Sequence, residues 1–191
     1  NFYQRLAFDE IFSTFLVNSE IRKKIRKIKK KSKIININSQ NSIIKKLDFS
    51  LTKDQIKSLK EINQDLISTN KMFRLLQGDV GSGKTIVSLI AALNTVSSGF
   101  QVAFMAPTEI LARQHFNLAR KIYPKNINIE LISGKSDYKE KKEILNKLSN
   151  SQVDIIFGTH AVFQKKVMFN KLGLIIIDEQ HKFGVNQRKK L

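Results

Sequence analysis

Residues 78–85 read Gly78-Asp79-Val80-Gly81-Ser82-Gly83-Lys84-Thr85. A glycine, four residues, then Gly-Lys-Thr is the spacing of a phosphate-binding loop. Glycines let the backbone adopt φ > 0 and let its N–H groups crowd around phosphate oxygens. Lys84 is placed to reach β- and γ-phosphates, and the Thr85 hydroxyl to bind Mg2+. A second constellation lies far along the chain, where Leu174-Ile175-Ile176-Ile177 runs into Asp178-Glu179-Gln180-His181. Adjacent side chains at a strand end point in different directions, so two carboxylates there can divide the labour. Asp178 is expected to hold Mg2+ beside Thr85, directly or through water. Glu179 is expected to polarise an attacking water. Gln180 and His181 are expected to face the γ-phosphate side and couple it to neighbouring motifs. A glycine-rich turn or an acidic loop would explain either segment alone; together they supply a phosphate cradle, a metal ligand and a base. The three histidines, His115, His160 and His181, show no metal-ligand spacing and the chain has no cysteine, so no structural zinc is expected.

These groups need a scaffold that brings residues 78–85 and 178–181 together. The run 73–77 reads as a short strand and 84–97 as a helix, whose N-terminus favours an anion. Further strand candidates are 101–106, 127–132, 153–157 and 172–177, and further helices 52–67, 109–120 and 137–148. Strands apolar on both faces and separated by helices indicate a mostly parallel sheet with helices on both faces. Right-handed crossovers then place the loops that follow each strand along one edge. The fold class is α/β, a P-loop NTPase domain, with an N-terminal helical linker.

Upstream, residues 1–33 read as one long helix or two, with Leu6, Ile11, Phe12, Phe15 and Leu16 as a partial apolar stripe. In the basic run from Ile21 to Lys31, Ile21, Ile25 and Ile28 fall at i, i+4, i+7. Such a helix can pack on a neighbour, stay solvated as a linker, lie on nucleic acid or lie on a membrane surface. Residues 34–46 show no clear period and read as a loop. The expected division is a basic linker over 1–47 and a nucleotide-binding domain over 48–191.

Lys and Arg number 34 against 16 Asp and Glu, a net charge of +18. That field favours polyanions, nucleic acid before an anionic membrane, although a chain rich in Ile, Asn and Lys can also carry such charge on solvated faces. Hydrophobic residues at 41% suffice for a core. The absence of cysteine fits a reducing compartment, and no apolar run approaches the ~20 residues of a membrane span. Asn1-Phe2-Tyr3-Gln4-Arg5 does not read as a signal peptide and the first residue is not an initiator Met, so a piece of a longer protein is expected.

Asp178-Glu179-Gln180-His181 resembles the DExH box of superfamily-2 helicases. The longer strings 178–188 and 75–85, with Ala106-Pro107-Thr108-Glu109-Ile110-Leu111-Ala112-Arg113-Gln114-His115, Gly158-Thr159-His160-Ala161 and Arg5-Leu6-Ala7-Phe8-Asp9-Glu10, resemble the RecG family of DNA helicases. Mfd-type translocases are the nearest alternative; they usually carry Phe where Ser82 stands and an acidic residue in place of Gln180. Lys182 departs from the arginine usual in the RecG family, which keeps the charge but loses bidentate geometry. The resemblance implies a first RecA-like motor domain using ATP and Mg2+, with Gly78–Thr85 as nucleotide site and Lys84 and Glu179 as catalytic residues. It implies that Gln55, in Leu51-Thr52-Lys53-Asp54-Gln55, hydrogen-bonds the adenine; a plain helix cap is the other reading. It implies that Pro107, Thr108, Arg113, Gly134, Thr159 and His160 meet a DNA backbone, where small polar groups and backbone N–H suit sequence-independent contact. The implied partners are replication forks and Holliday junctions, bound through the full-length protein as a monomer in the bacterial cytoplasm at the nucleoid. A second RecA-like domain bearing an arginine finger, and a DNA-wedge domain, are expected to lie outside these residues. The chain alone is then expected to bind ATP and DNA with little turnover, a non-hydrolysing ATP/DNA-binding module being the limiting case.

Overall fold

The structure is a computed structural model, and it describes residues 2–134, 137–159 and 167–179. In chain order the elements are α1 (Phe2–Lys27), α2 (Ile37–Ile44), α3 (Lys53–Ile67), α4 (Lys84–Val96), β1 (Gln101–Met105), α5 (Glu109–Ile122), β2 (Ile129–Ile132), α6 (Tyr138–Ser149), β3 (Ile155–Gly158) and β4 (Leu172–Ile177). The four strands form one parallel sheet in the order β2-β3-β1-β4. Ile132 pairs with Gly158, Gly158 with Met105, and Met105 with Ile177. This single row fixes where every strand ends, so all four following loops leave from the same edge.

Alternation along the strands divides the core between two faces. Val102, Phe104, Ile155, Phe157 and Leu174 pack with α3, α4 and α5, whereas Ala103, Ile132 and Ile156 pack with Ile144 and Leu148 of α6. Helix α4 is the most deeply set, with every residue from Leu89 to Thr95 buried. The central strand β1 is buried at all five positions. Gln101, the one polar residue of β1, satisfies its amide completely. Its Nε2 donates to Leu148 O and Val153 O, and its Oε1 accepts from the backbone N–H of Asn170 and Lys171, all within 3.0 Å.

Three sequence expectations need correction. Residues 73–77 are not a strand of the sheet. Met72 and Leu76 tuck against the core while Phe73 and Leu75 stand 61% and 69% exposed. Arg74 between them is exposed as well, so only every fourth residue of the run faces the core, and among the described residues β4 pairs on one side only, with β1. Second, residues 34–46 are not a loop throughout: Asn36 accepts from Ser39 N and starts α2, whose Ile43 is fully buried. Burial of Ile43 against α4, together with the cap, overrides the lack of a clear period.

Third, the helix or helices read over 1–33 stop at Lys27: residues 28–33, Ile28 included, form an extended strap across the C-terminal end of α3, held by backbone bonds that a helix could not make. Lys30 N donates to Thr69 O, Lys33 N to Leu66 O and Lys71 N to Ile28 O. The Lys30 ammonium donates to Leu66 O and Ser68 O, satisfying carbonyls that a helix end leaves without partners. Behind it, Gln40 of α2 joins Asn63 of α3 and Asn94 of α4 in a knot of side-chain amides.

Candidate nucleotide site

The loop 78–83 hangs between an extended arm and the start of α4. Gly81 and Gly83 have φ of +82° and +79°, the left-handed region that side chains avoid. Gly83 is the N-cap of α4 and offers no side-chain cap, so the first-turn N–H groups of α4 point into the loop without a side-chain acceptor. Lys84 Nζ donates to Gly78 O and Asp79 O, each at 2.7 Å. The lysine therefore lies along the inside of the loop, and Val80 at the tip is wholly exposed.

Gln55 reaches this loop from α3. Its Oε1 accepts from Thr52 N at 2.9 Å while Thr52 Oγ1 accepts from Gln55 N, a capping box. Its Nε2 donates to Ser82 O at 2.9 Å. A side chain on Gly83 would collide with that same Nε2, so glycine at 83 serves close approach as well as backbone conformation. The cap reading of Gln55 is thus met, and the same side chain also touches the phosphate loop.

Asp178 follows β4 directly, and its N–H continues the ladder to Met105 O at 2.8 Å. Its Oδ2 lies 2.8 Å from His115 Nε2. That hydrogen bond is the chief reason its carboxyl is held below the usual carboxylate range; the Glu179 N–H and the Lys84 charge act the same way, against burial. Glu179 sits at φ +51°, a strained conformation for a residue with a side chain. An ionised carboxylate and the Thr85 hydroxyl are hard oxygen donors, which fits Mg2+. Gln180, His181 and His160 lie outside the described residues.

His115 is the site residue that sequence reasoning missed. It stands on α5 at 7% exposure, between Ala112 and Ala119 on the buried face, with its ring 5.0 Å from that of Phe104. A polar ring on an apolar stripe demands a partner, and that was the available signal. The partner, 63 residues away in sequence, was not readable.

A family profile described as DEAD/DEAH box helicase matches residues 52–191. The chain belongs to the DEAD/DEAH box helicases. It is 46% identical over 189 residues to the ATP-dependent DNA helicase RecG of Thermotoga maritima, covering 98% of this chain and 24% of that protein. It is 43% identical to RecG of Streptococcus pneumoniae, covering 97% of this chain and 28% of the relative. The structure of RecG bound to a three-way DNA junction superposes with a TM-score of 0.84 at 44% identity, over 95% of this chain and 25% of that one. The UvsW helicase of bacteriophage T4 shares the fold, with a TM-score of 0.59 at 16% identity over 83% of this chain and 56% of that one. Within the helicase family the chain is therefore a motor domain of the RecG type, and it spans about a quarter of the length of the RecG proteins it matches. Its RecA-like α/β fold agrees with the sequence reading.

Of the other described residues that the helicase resemblance marked, Pro107, Thr108, Gly134 and Thr159 follow strand ends on the same sheet edge and Arg113 lies on α5. Pro107 and Thr108 follow β1, and Thr108 caps α5 by accepting from Leu111 N at 3.3 Å. Arg113 is exposed and 3.5 Å from Glu109, one turn back. Gly134 follows β2 beside Glu109, and Thr159 follows β3.

Proposed function

We propose that this chain is the first ATP-binding motor lobe of a DNA translocase that remodels branched DNA, forks and Holliday junctions included, in repair and recombination. One observation carries the reading: the row Ile132–Gly158–Met105–Ile177 puts Gly134, Thr159, Thr108 and Asp178 on one edge. Candidate backbone contacts and the nucleotide site are then neighbours, as a motor requires. The protein bound to a three-way DNA junction, at 44% identity, supports branched DNA as the partner, and the net charge of +18 suits it.

In this reading Lys84 and the α4 N-terminus bind the β- and γ-phosphates of ATP. Thr85 and Asp178 hold Mg2+, which neutralises charge on the phosphates when bound. Glu179 orients and deprotonates the attacking water. Pro107, Thr108, Arg113, Gly134, Thr159 and His160 grip the backbone of one strand, and Gln180 and His181 link grip to nucleotide. A second RecA-like lobe supplies an arginine finger, a group worth ~10³–10⁵ in turnover, so these 191 residues alone bind ATP and DNA with little hydrolysis. The bacterial relatives favour a site of action at the nucleoid. No helix among the described residues is long and apolar enough to cross a membrane.

Kinetics of the intact protein test this. Lys84→Ala should lose nucleotide binding, and Glu179→Gln should bind MgATP normally while DNA-stimulated turnover falls by about 10²-fold or more. Wild-type turnover in Glu179→Gln would remove it as the base, and ATPase indifferent to DNA would remove the motor reading.

A further inference from the structure

Helix α5 begins at Thr108, one of the candidate DNA contacts, and seven residues later presents His115 to Asp178. At ~1.5 Å per residue the two lie about 10 Å apart along one rigid helix. The His115–Asp178 bond is well formed: 2.8 Å between Nε2 and Oδ2, with the histidine side chain 9% exposed and the aspartate 25%. An ionised carboxylate only accepts, so Nε2 carries the proton and donates. The imidazole has little freedom to turn, because Phe104 packs on its ring and Ala112 and Ala119 flank it on the helix. The carboxylate is thus oriented by its bond from α5.

We propose that His115 is a positioning residue of the nucleotide site, fixing the Asp178 carboxylate for its metal and making that geometry depend on the position of α5. Strand binding at the N-terminus of α5 and Mg2+-nucleotide binding are then linked through a single side-chain bond. The proposal rests on the motor reading above and goes beyond it by naming the connection. Outer hydrogen bonds of this kind typically change metal affinity by ~10–100-fold when removed.

The test is equilibrium binding of a fluorescent ADP analogue to the intact protein, in Mg2+ and in EDTA, with and without single-stranded DNA. His115→Phe keeps a ring against Phe104 but has no donor; His115→Gln places an amide N–H near the Nε2 position. The Mg2+-dependent gain in affinity should fall about tenfold or more in His115→Phe, with the EDTA affinity unchanged. DNA should no longer alter nucleotide affinity in that variant, and His115→Gln should recover most of both effects. Wild-type Mg2+ dependence and DNA linkage in His115→Phe overturn the proposal. So does His115→Gln failing as badly as His115→Phe while melting like wild type, since the ring and not the bond would then matter. Lys84→Ala run in parallel separates the two readings. If it binds the analogue normally, the nucleotide-site assignment itself fails; if it loses binding while His115→Phe is normal, only the linkage fails.

Discussion

Tyr123 ends α5 buried to 5% exposure, its hydroxyl donating to Leu89 O at 2.8 Å. Burial pushes its phenol well above the usual 10.0. Its folded pKa is thus raised above the unfolded one, so its stabilising contribution is complete below pH 10 and is lost as pH rises from there towards the folded value. Within that window the loss is ~1.4 kcal/mol per pH unit. Urea unfolding at pH 8 and pH 10.5 should show Tyr123→Phe costing about 1 kcal/mol at the lower pH and less at the higher. An equal cost at both would mean the phenol ionises freely in the folded protein. At this scale, the legible residues were those whose chemistry is set by near neighbours in sequence. Gly78–Thr85 and Asp178-Glu179 are readable because a loop and a strand end build themselves locally. His115 was not, because its role exists only once α5 has packed beside β4. Gln55 was half legible: the Thr52–Gln55 spacing shows the cap, but the bond to Ser82 O needs the fold.

Helix α3 is held at both ends by different parts of the chain. Gln55 ties its first turn to the phosphate loop, and the strap 28–33 ties its last turn through Lys30 and Lys33. Lys30→Met keeps the stem but removes the ammonium from Leu66 O and Ser68 O. It should cost about 1 kcal/mol and raise hydrogen exchange at Lys30, Lys33 and Lys71, leaving Gln55 and Ser82 protected. Thr52→Ala should cost a similar ~1 kcal/mol with the reverse pattern. Uniform exchange changes in both variants would show that α3 moves as one piece with the strap and the loop. Among elements, α3, α4, α5 and α6 fall within two residues of their sequence readings, because a period of 3.6 survives over three or four turns, whereas α1 stops six residues short of the expected 33 because the strap bonds to α3 take over. α2, at 8 residues, is too short to display its period. The arm at 73–77 is apolar enough to read as a strand, yet Phe73, Arg74 and Leu75 all stay exposed, because apolar content alone does not specify a ladder.

For the whole molecule, charge and topology make separate claims. The net charge of +18 is spread over the entire chain, whereas the candidate DNA edge carries one cation among the described contacts, Arg113, already paired with Glu109. If Arg113 is the one cation that meets the strand there, Arg113→Ala should flatten the log K against log salt plot by ~0.7 for single-stranded DNA. Thr108→Ala should weaken binding without changing the slope. A slope unchanged by Arg113→Ala would place the strand elsewhere on the surface. The fold class was readable from the alternation of buried strands and helices, but the strand order was not, since it depends on which apolar faces meet. That order, β2-β3-β1-β4, has a consequence during synthesis. β1 is the first of the four strands made, it needs a neighbour on each side, and both of those neighbours come later, beginning at Ile155 and Leu172. At ~5–20 residues per second on the ribosome, the wait is on the order of 3–13 s. For that time the nascent chain carries an apolar helix and an apolar strand whose lateral hydrogen bonds are open, which makes α4–β1 the segment for chaperones to guard.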